Sequence, residues 1–256
     1  MCKITLSVER IIKMIWFRSI LFTIVHYIYS LIVFIIMIPT FILPWKCAML
    51  MPIVWTGGTT ILLRWICGIK IKIEGKENLP KKNGYIVASK HQSALETNLF
   101  HNLIPNTFYV FKKELLWLPF AGLYALKTGC LPIDRNGGAT ALRKMFIGAT
   151  KRFKRGQNMV IFPEGTRTKP GEETTKPYSP GIALIYEHCN VPVIPVALNT
   201  GYCWPKNRFI RYPGTITVRI LKPIEPGLPK REFLKVLQET IETEQKALPL
   251  PNSYKG

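Results

Sequence analysis

Tyr85-Ile86-Val87-Ala88-Ser89-Lys90-His91-Gln92-Ser93-Ala94-Leu95-Glu96-Thr97 changes character twice over its length. The apolar run at its start reads as a strand, and the polar residues after it read as that strand's end. Ser93, with Glu96 three residues later, is helix-opening chemistry. The expectation is therefore a strand over 84–89, a helix over 94–104, and His91 in the loop between them. On one continuous helix, at about 100° per residue, positions 91 and 96 would point well apart. A turn at Ser93 removes that obstacle and lets the Glu96 carboxylate reach back to the His91 ring. The same carboxylate could serve only as half of a capping box with Ser93, and the local residues leave both readings open.

Outward from this unit the pattern repeats. After Gly68, short apolar runs separated by Gly, Pro, Asn and charge predict strands at 69–74, 107–111, 130–133, 158–162, 192–198 and 215–221. Helices are expected at 114–127, 138–155, 181–189 and 230–247, the third of these opened by Ser179 as N-cap with Pro180 at the first position. Alternation of this kind gives an α/β fold with a mixed, mainly parallel sheet flanked by helices. The segment 169–180 is the most loop-like.

The N-terminal region is of another kind. No charged residue stands between Arg18 and Lys46, and Ile20 to Leu43 is longer than the roughly 20 residues that span a bilayer. It exceeds the apolar core of a signal peptide and lacks a small-residue cleavage site, so a retained membrane-embedded helix is expected. A second uncharged stretch, 47–63, carries Pro52, Gly57 and Gly58, and whether it spans, re-enters or lies on the membrane stays open. Residues 1–67 are thus a membrane-associated helical segment with apolar stretches 19–45 and 47–63, and 68–256 an α/β domain. Lys3, Arg10, Lys13 and Arg18 before the first stretch put the N-terminus in the cytoplasm, and a hairpin returns the chain there. The mixture of basic and apolar residues in 1–18 suggests an interfacial helix.

Thirty-five Lys and Arg against fifteen Asp and Glu leave a net charge of +20, which calls for an anionic partner surface. With the apolar N-terminus, anionic membrane lipid is the expected surface, and no nucleic-acid-binding signature is present. Six cysteines without a C-x-x-C pair, and no histidine cluster, point to a reduced compartment and to no metal site.

A second motif, Val160-Ile161-Phe162-Pro163-Glu164-Gly165-Thr166-Arg167-Thr168, runs from an apolar strand into a loop with carboxylate, glycine, hydroxyls and guanidinium. Loops at strand ends are where α/β sheets hold ligands, and an arginine fork suits phosphate oxygens. A turn with a solvent-exposed ion pair is the plain alternative.

Together the two motifs resemble the glycerolipid acyltransferase family, and within it the 1-acylglycerol-3-phosphate acyltransferases. The resemblance covers roughly 65–225 and includes Phe111-Lys112-Lys113-Glu114-Leu115, Pro119-Phe120-Ala121-Gly122, Gly129 to Arg135 and Val191 to Val196. Glu96 departs from it, since most of the family has aspartate there; the charge is kept and one methylene is added. The resemblance implies acyl transfer from an acyl carrier protein or coenzyme A thioester to the sn-2 hydroxyl of 1-acyl-sn-glycerol-3-phosphate, giving phosphatidic acid. It implies His91 as general base, Glu96 as its acidic partner and no acyl-enzyme. Arg135, Glu164, Gly165, Thr166 and Arg167 would bind the phosphorylated acceptor, with Lys112 and Lys113 as further candidates. No cofactor is implied beyond the thioester co-substrate. The implied location is the inner membrane, with the catalytic domain on its cytoplasmic face.

Other lysolipid acceptors, such as lyso-ornithine lipid or another lysophospholipid, fit the same motifs; a non-catalytic lipid-binding protein would use the positive charge alone, and the His91/Glu96 pair with the 162–167 block argues against it. A serine hydrolase built on Ser93 does not, because no G-x-S-x-G elbow surrounds it. His26, His101 and His188 have no acidic residue at the same spacing and read as structural.

Overall fold

A computed structural model of the chain describes residues 2–118, 121–134 and 137–251. The strands are β1 (Ile69–Glu74), β2 (Ile86–Ser89), β3 (Thr107–Lys112), β4 (Leu131–Ile133), β5 (Asn158–Ile161), β6 (Val193–Leu198) and β7 (Gly214–Ile220). They form one sheet in the order β1-β7-β6-β2-β5-β3-β4. Neighbours are parallel except β6 and β7. Each strand was expected, and the central ones, β2, β5 and β6, are buried along their length, as their continuous apolar runs require.

The helices are α1 (Cys2–Met37), α2 (Trp45–Ala48), α3 (Leu50–Leu62), α4 (Leu95–Leu103), α5 (Ala121–Thr128), α6 (Gly138–Phe153), α7 (Pro180–Cys189), α8 (Thr200–Cys203) and α9 (Lys230–Lys246). The single helix expected over 114–127 is replaced by a 3-10 turn, Lys113–Trp117, and then α5. Leu118 between them sits at φ −69 and ψ 121, because a residue before proline is pushed out of the helical region. The short α8 was not foreseen.

The crossover β2-α4-β3 steps toward the β4 edge, whereas β4-α6-β5 and β5-α7-β6 step back. With the usual right hand for all three, α4 lies on one face of the sheet and α6 and α7 on the other. Side chains of β3 agree: Phe108 meets Phe153 of α6, and its neighbour Tyr109 meets His101 of α4. α9 joins the α6 face through Phe233, stacked on Tyr186 of α7 at 3.9 Å.

The N-terminal helices cover the α4 face. Glu9–Phe41 and Trp45–Cys67 are each long and apolar enough to cross a membrane. Of the expected interfacial segment 1–18, residues 2–18 are the start of α1, not a separate helix, and residue 1 lies outside the described residues. α1 and α3 are joined by polar contacts inside an apolar pair: Trp55 Nε1 donates to Ser30 Oγ at 2.8 Å, and Tyr29 Oη to the Val54 carbonyl at 2.5 Å. Gly58 is the residue beside Tyr29, whose ring fills the space a side chain there would need. Asn102 of α4 shares a hydrogen bond with Thr56 of α3.

The α/β domain grips α1 from its middle to its end. Phe209 stacks on Trp16, Trp204 meets Phe22 edge-on, and Tyr124 of α5 packs against Phe34 and Phe41. Arg211 is the central clamp: its guanidinium lies 4.5 Å from the Phe22 ring and 4.6 Å from that of Trp204. Its Nη1 donates to Thr23 Oγ1 at 3.3 Å, and its backbone N–H to Ser19 Oγ at 3.0 Å. Arg211→Ala is expected to lower stability in detergent by about 1–3 kcal/mol, from lost cation–π and hydrogen-bond energy. Thermal unfolding checks it; an unchanged melting temperature would mean that the clamp does not hold α1.

Candidate active site

The carboxyl ends of β2, β5, β3, β4 and β6 share one edge, so the loops after them converge there, as in other open α/β sheets. His91 follows β2, Phe162 to Thr168 follow β5, Lys112 ends β3, Asp134 follows β4, and Thr200 follows β6.

Within this ring His91 and Glu96 meet. His91 Nδ1 is 2.9 Å from Glu96 Oε1. A carboxylate only accepts, so the proton of this bond sits on Nδ1, and in a neutral ring the lone pair is on Nε2. The His91 ring lies nearly flat on Phe162, with centroids 4.0 Å apart and planes 13° apart. Its side chain is 19% exposed and Glu96 is fully enclosed.

Glu96 also caps its own helix. The backbone N–H groups of Gln92 and Ser93 both donate to Glu96 Oε1 at 2.6 Å. The two readings of the motif are therefore not rivals, because one oxygen serves the ring and the chain turn together. Ser93 departs slightly from its expected role: Ala94 occupies the N-cap position, and Ser93 Oγ accepts from the Leu95 N–H at 3.1 Å. The other carboxylate oxygen, Oε2, accepts from Thr200 Oγ1 at 2.8 Å. Thr200 lies 104 residues away in sequence, and no motif pointed to it.

Beneath His91 lies a second buried ionic group. Glu164 Oε2 accepts the His91 backbone N–H at 2.7 Å, and its Oε1 accepts from Thr174 Oγ1 at 2.7 Å. The Thr168 N–H donates to the His91 carbonyl at 2.8 Å, closing the β5 loop against the β2 loop. Glu164, expected to touch substrate, is thus committed inside the protein, with its side chain 1% exposed. Lys90 Nζ, fully buried, reaches Glu164 Oε1 at 2.8 Å and Glu242 Oε1 of α9 at 2.7 Å. Tyr178 Oη donates to Glu242 Oε1 at 2.9 Å; burial and then the Glu242 charge push its hydroxyl pKa up, so it stays a donor. Sequence reasoning missed Lys90, Thr174, Tyr178 and Glu242, since their partners are distant along the chain.

The remaining expected positions lie nearer the surface. Gly165 has φ +69, a left-handed conformation that favours glycine, and it lines the cavity described below. Thr166 is exposed. Arg167 Nη2 donates to Asn207 Oδ1 at 3.4 Å, a long bond that a better acceptor could displace. Lys113 Nζ donates to Asp134 Oδ2 at 2.6 Å, which holds the ammonium pKa up. Lys112 lines the cavity and lies 3.7 Å from Glu114. Arg135 lies outside the described residues.

His91 stands at a cavity of about 510 Å³, within the usual range of ligand pockets. Its wall is mainly apolar: Val110, Phe111, Leu115, Ile133, Leu142 and Met145 line it. The other histidines stay outside: burial pushes the His101 pKa down to about 4, and His188 bonds the Leu184 carbonyl. Among the described residues no group of three or more His, Cys, Asp or Glu side chains is placed to hold a metal ion.

The arrangement places an imidazole held by a carboxylate at the mouth of a mainly apolar cavity. The buried ions beneath it should matter for the fold. Lys90→Met leaves two carboxylates without their cation and is expected to destabilise the protein by about 3–5 kcal/mol. Adding Glu242→Gln should recover part of that loss. Denaturant unfolding of both variants checks this; wild-type stability of Lys90→Met would show that the group carries no such energy.

The acyltransferase family model matches residues 70–199, the segment that contains both motifs. The 1-acyl-sn-glycerol-3-phosphate acyltransferase of Pseudomonas aeruginosa is 35% identical over 166 residues, 65% of this chain and 63% of that protein. The protein of the same name from Saccharomyces cerevisiae is 31% identical over 165 residues, 64% of this chain and 54% of its own length. The chain thus spans about three fifths of the length of the curated relatives it matches. A crystal structure of the 1-acyl-sn-glycerophosphate acyltransferase of Thermotoga maritima superposes with TM-score 0.75 at 22% identity, over 93% of this chain and 98% of that one, which shows a shared fold. With its fold matched and a family model covering both motif loops, this chain belongs to the acyltransferase family.

Proposed function

We propose that the protein transfers an acyl group from a thioester to the free sn-2 hydroxyl of 1-acyl-sn-glycerol-3-phosphate, forming phosphatidic acid. The observation that carries this reading is the His91–Glu96 pair at an apolar cavity of about 510 Å³. His91 Nε2 takes the acceptor's hydroxyl proton as the oxygen attacks the thioester carbonyl. Glu96 holds the tautomer and stabilises the imidazolium that forms. The thiolate leaves without an acyl-enzyme, and positioning of the two substrates supplies much of the rate. The apolar wall suits the acyl chain. Arg167, Lys112 and Arg135 are the cations for the acceptor phosphate, and Glu164 acts from below by fixing the His91 backbone. The acceptor named by the relatives supports this choice over other lysolipids.

The N-terminal hairpin brings this site to its lipid substrate. Contacts with the catalytic domain run from Trp16 to Phe41 of the first apolar segment. At 1.5 Å per residue that is about 38 Å, more than a hydrocarbon core of about 30 Å. A hairpin crossing the bilayer would pull the domain in with it, so it rests along one leaflet, on the cytoplasmic side of the inner membrane. The exposed apolar side chains of Leu115, Trp117, Leu118 and Leu123 continue that surface, and Leu115 lines the cavity. The acceptor's chain can then pass from leaflet to site without crossing water.

Assay of the purified protein with 1-acylglycerol-3-phosphate against lyso-ornithine lipid and other lysolipids tests the acceptor. Arg167→Ala is expected to raise KM for 1-acylglycerol-3-phosphate while leaving KM for the thioester unchanged. Loss of one charge-assisted contact is worth about 1.5–3 kcal/mol, or roughly ten- to 150-fold. Equal effects on both substrates would assign Arg167 to the loop's structure instead.

A further inference from the structure

We infer that the outer face of α6 is a docking surface for an acidic carrier protein that presents the acyl thioester. This rests on the proposed acyl transfer and adds how the donor arrives. Between Asp134 and Glu164 the chain holds seven Lys and Arg and no Asp or Glu. Arg143, Lys144, Ile147, Lys151 and Lys154 are all exposed and, at about 100° per residue, fall within an arc of about 100° on one side of the helix. The opposite side of α6 is spoken for, since Ala141, Met145 and Ala149 are buried.

Among the described residues none of these four cations pairs with a carboxylate, whereas α9 on the same side of the sheet carries Lys–Glu pairs. A helix face with uncompensated positive charge around one exposed isoleucine complements an acidic amphipathic surface with an apolar centre. Anionic lipid would also attract such a face. The topology argues against lipid, because α6 lies on the sheet face opposite α1, α3 and α4 and turns this stripe away from the bilayer. A soluble protein can reach it there. The same helix joins the stripe to the site: its other side, with Gly138, Ala141, Leu142 and Met145, lines the cavity at which His91 stands. A carrier seated on Arg143 and Lys144 would pass its thioester arm around one helix to reach that cavity.

The test compares two donors with the same chain, palmitoyl-acyl carrier protein and palmitoyl-coenzyme A, on the full-length protein and on Arg143→Glu/Lys151→Glu. The expected result is a KM for palmitoyl-acyl carrier protein raised at least tenfold, with kcat and the KM for palmitoyl-coenzyme A within twofold of wild type. Salt should depress the wild-type rate with the carrier protein and leave the variant's rate nearly flat. Equal changes with both donors, or none, would overturn the inference. So would loss of binding to phosphatidylglycerol vesicles with carrier-protein kinetics intact, which would give the stripe to the membrane. If the charge reversal does not fold, Arg143→Gln/Lys151→Gln serves, with a smaller rise of about threefold in the same single KM. Binding of acyl carrier protein to the wild-type chain, read without acceptor, separates the two readings. Salt-sensitive binding without turnover would sink the proposed acyl transfer alone, whereas turnover without such binding would sink the docking surface alone.

Discussion

The Glu96 carboxylate is enclosed by protein and accepts from four donors: His91 Nδ1, the Gln92 and Ser93 backbone N–H groups, and Thr200 Oγ1. A buried carboxylate short of partners costs several kcal/mol, so each donor must arrive when the chain folds. That requirement fixes the β2 loop, starts α4, and brings the end of β6 against the end of β2. It also fixes the ring, since only one neutral imidazole tautomer can satisfy Glu96 Oε1, and that tautomer carries its lone pair on Nε2.

A second set of ions supports the first from below. Glu164 holds the His91 backbone, Lys90 holds Glu164, and Glu242 holds Lys90, so α9, far from the site in sequence, is tied to the loop that carries His91. Buried pairs of this kind add little net stability when intact but penalise any arrangement in which one partner is missing. They select one conformation of two loops that would otherwise be free at the sheet's edge. Arg211 does similar work at the membrane side, joining Ser19 and Thr23 of α1 to the segment before β7.

The strands were legible because their signal is local: a buried parallel strand is a short apolar run, and Val193–Leu198 or Asn158–Ile161 needs no distant partner to be recognised. Helix 114–127 was misread because its apolar spacing hid the effect of Pro119 on Leu118. At the site, the spacing of His91, Ser93 and Glu96 carried the pair, since the turn that joins them is itself written in those residues. Lys90 was passed over although it adjoins His91. A lysine is normally solvated, and only residues 74, 84 and 152 positions further on, Glu164, Thr174 and Glu242, make its burial tolerable. Thr200 was invisible for the same reason. Glu164 was found by its motif but given the wrong surroundings, for a carboxylate in a glycine-bearing loop gives no sign of facing inward.

In the proposed reaction the Glu96 charge, and not only its hydrogen bonds, serves the chemistry at His91. Glu96→Gln separates the two: the amide oxygen can still accept from the ring and both backbone N–H groups, and its NH₂ can donate to Thr200 Oγ1 in reverse. The direct measurement is turnover of Glu96→Gln beside its thermal unfolding curve. If the charge stabilises imidazolium, kcat falls by roughly two orders of magnitude or more with the melting temperature nearly unchanged. Near-wild-type turnover with an intact fold would contradict it and leave Glu96 as a cap alone.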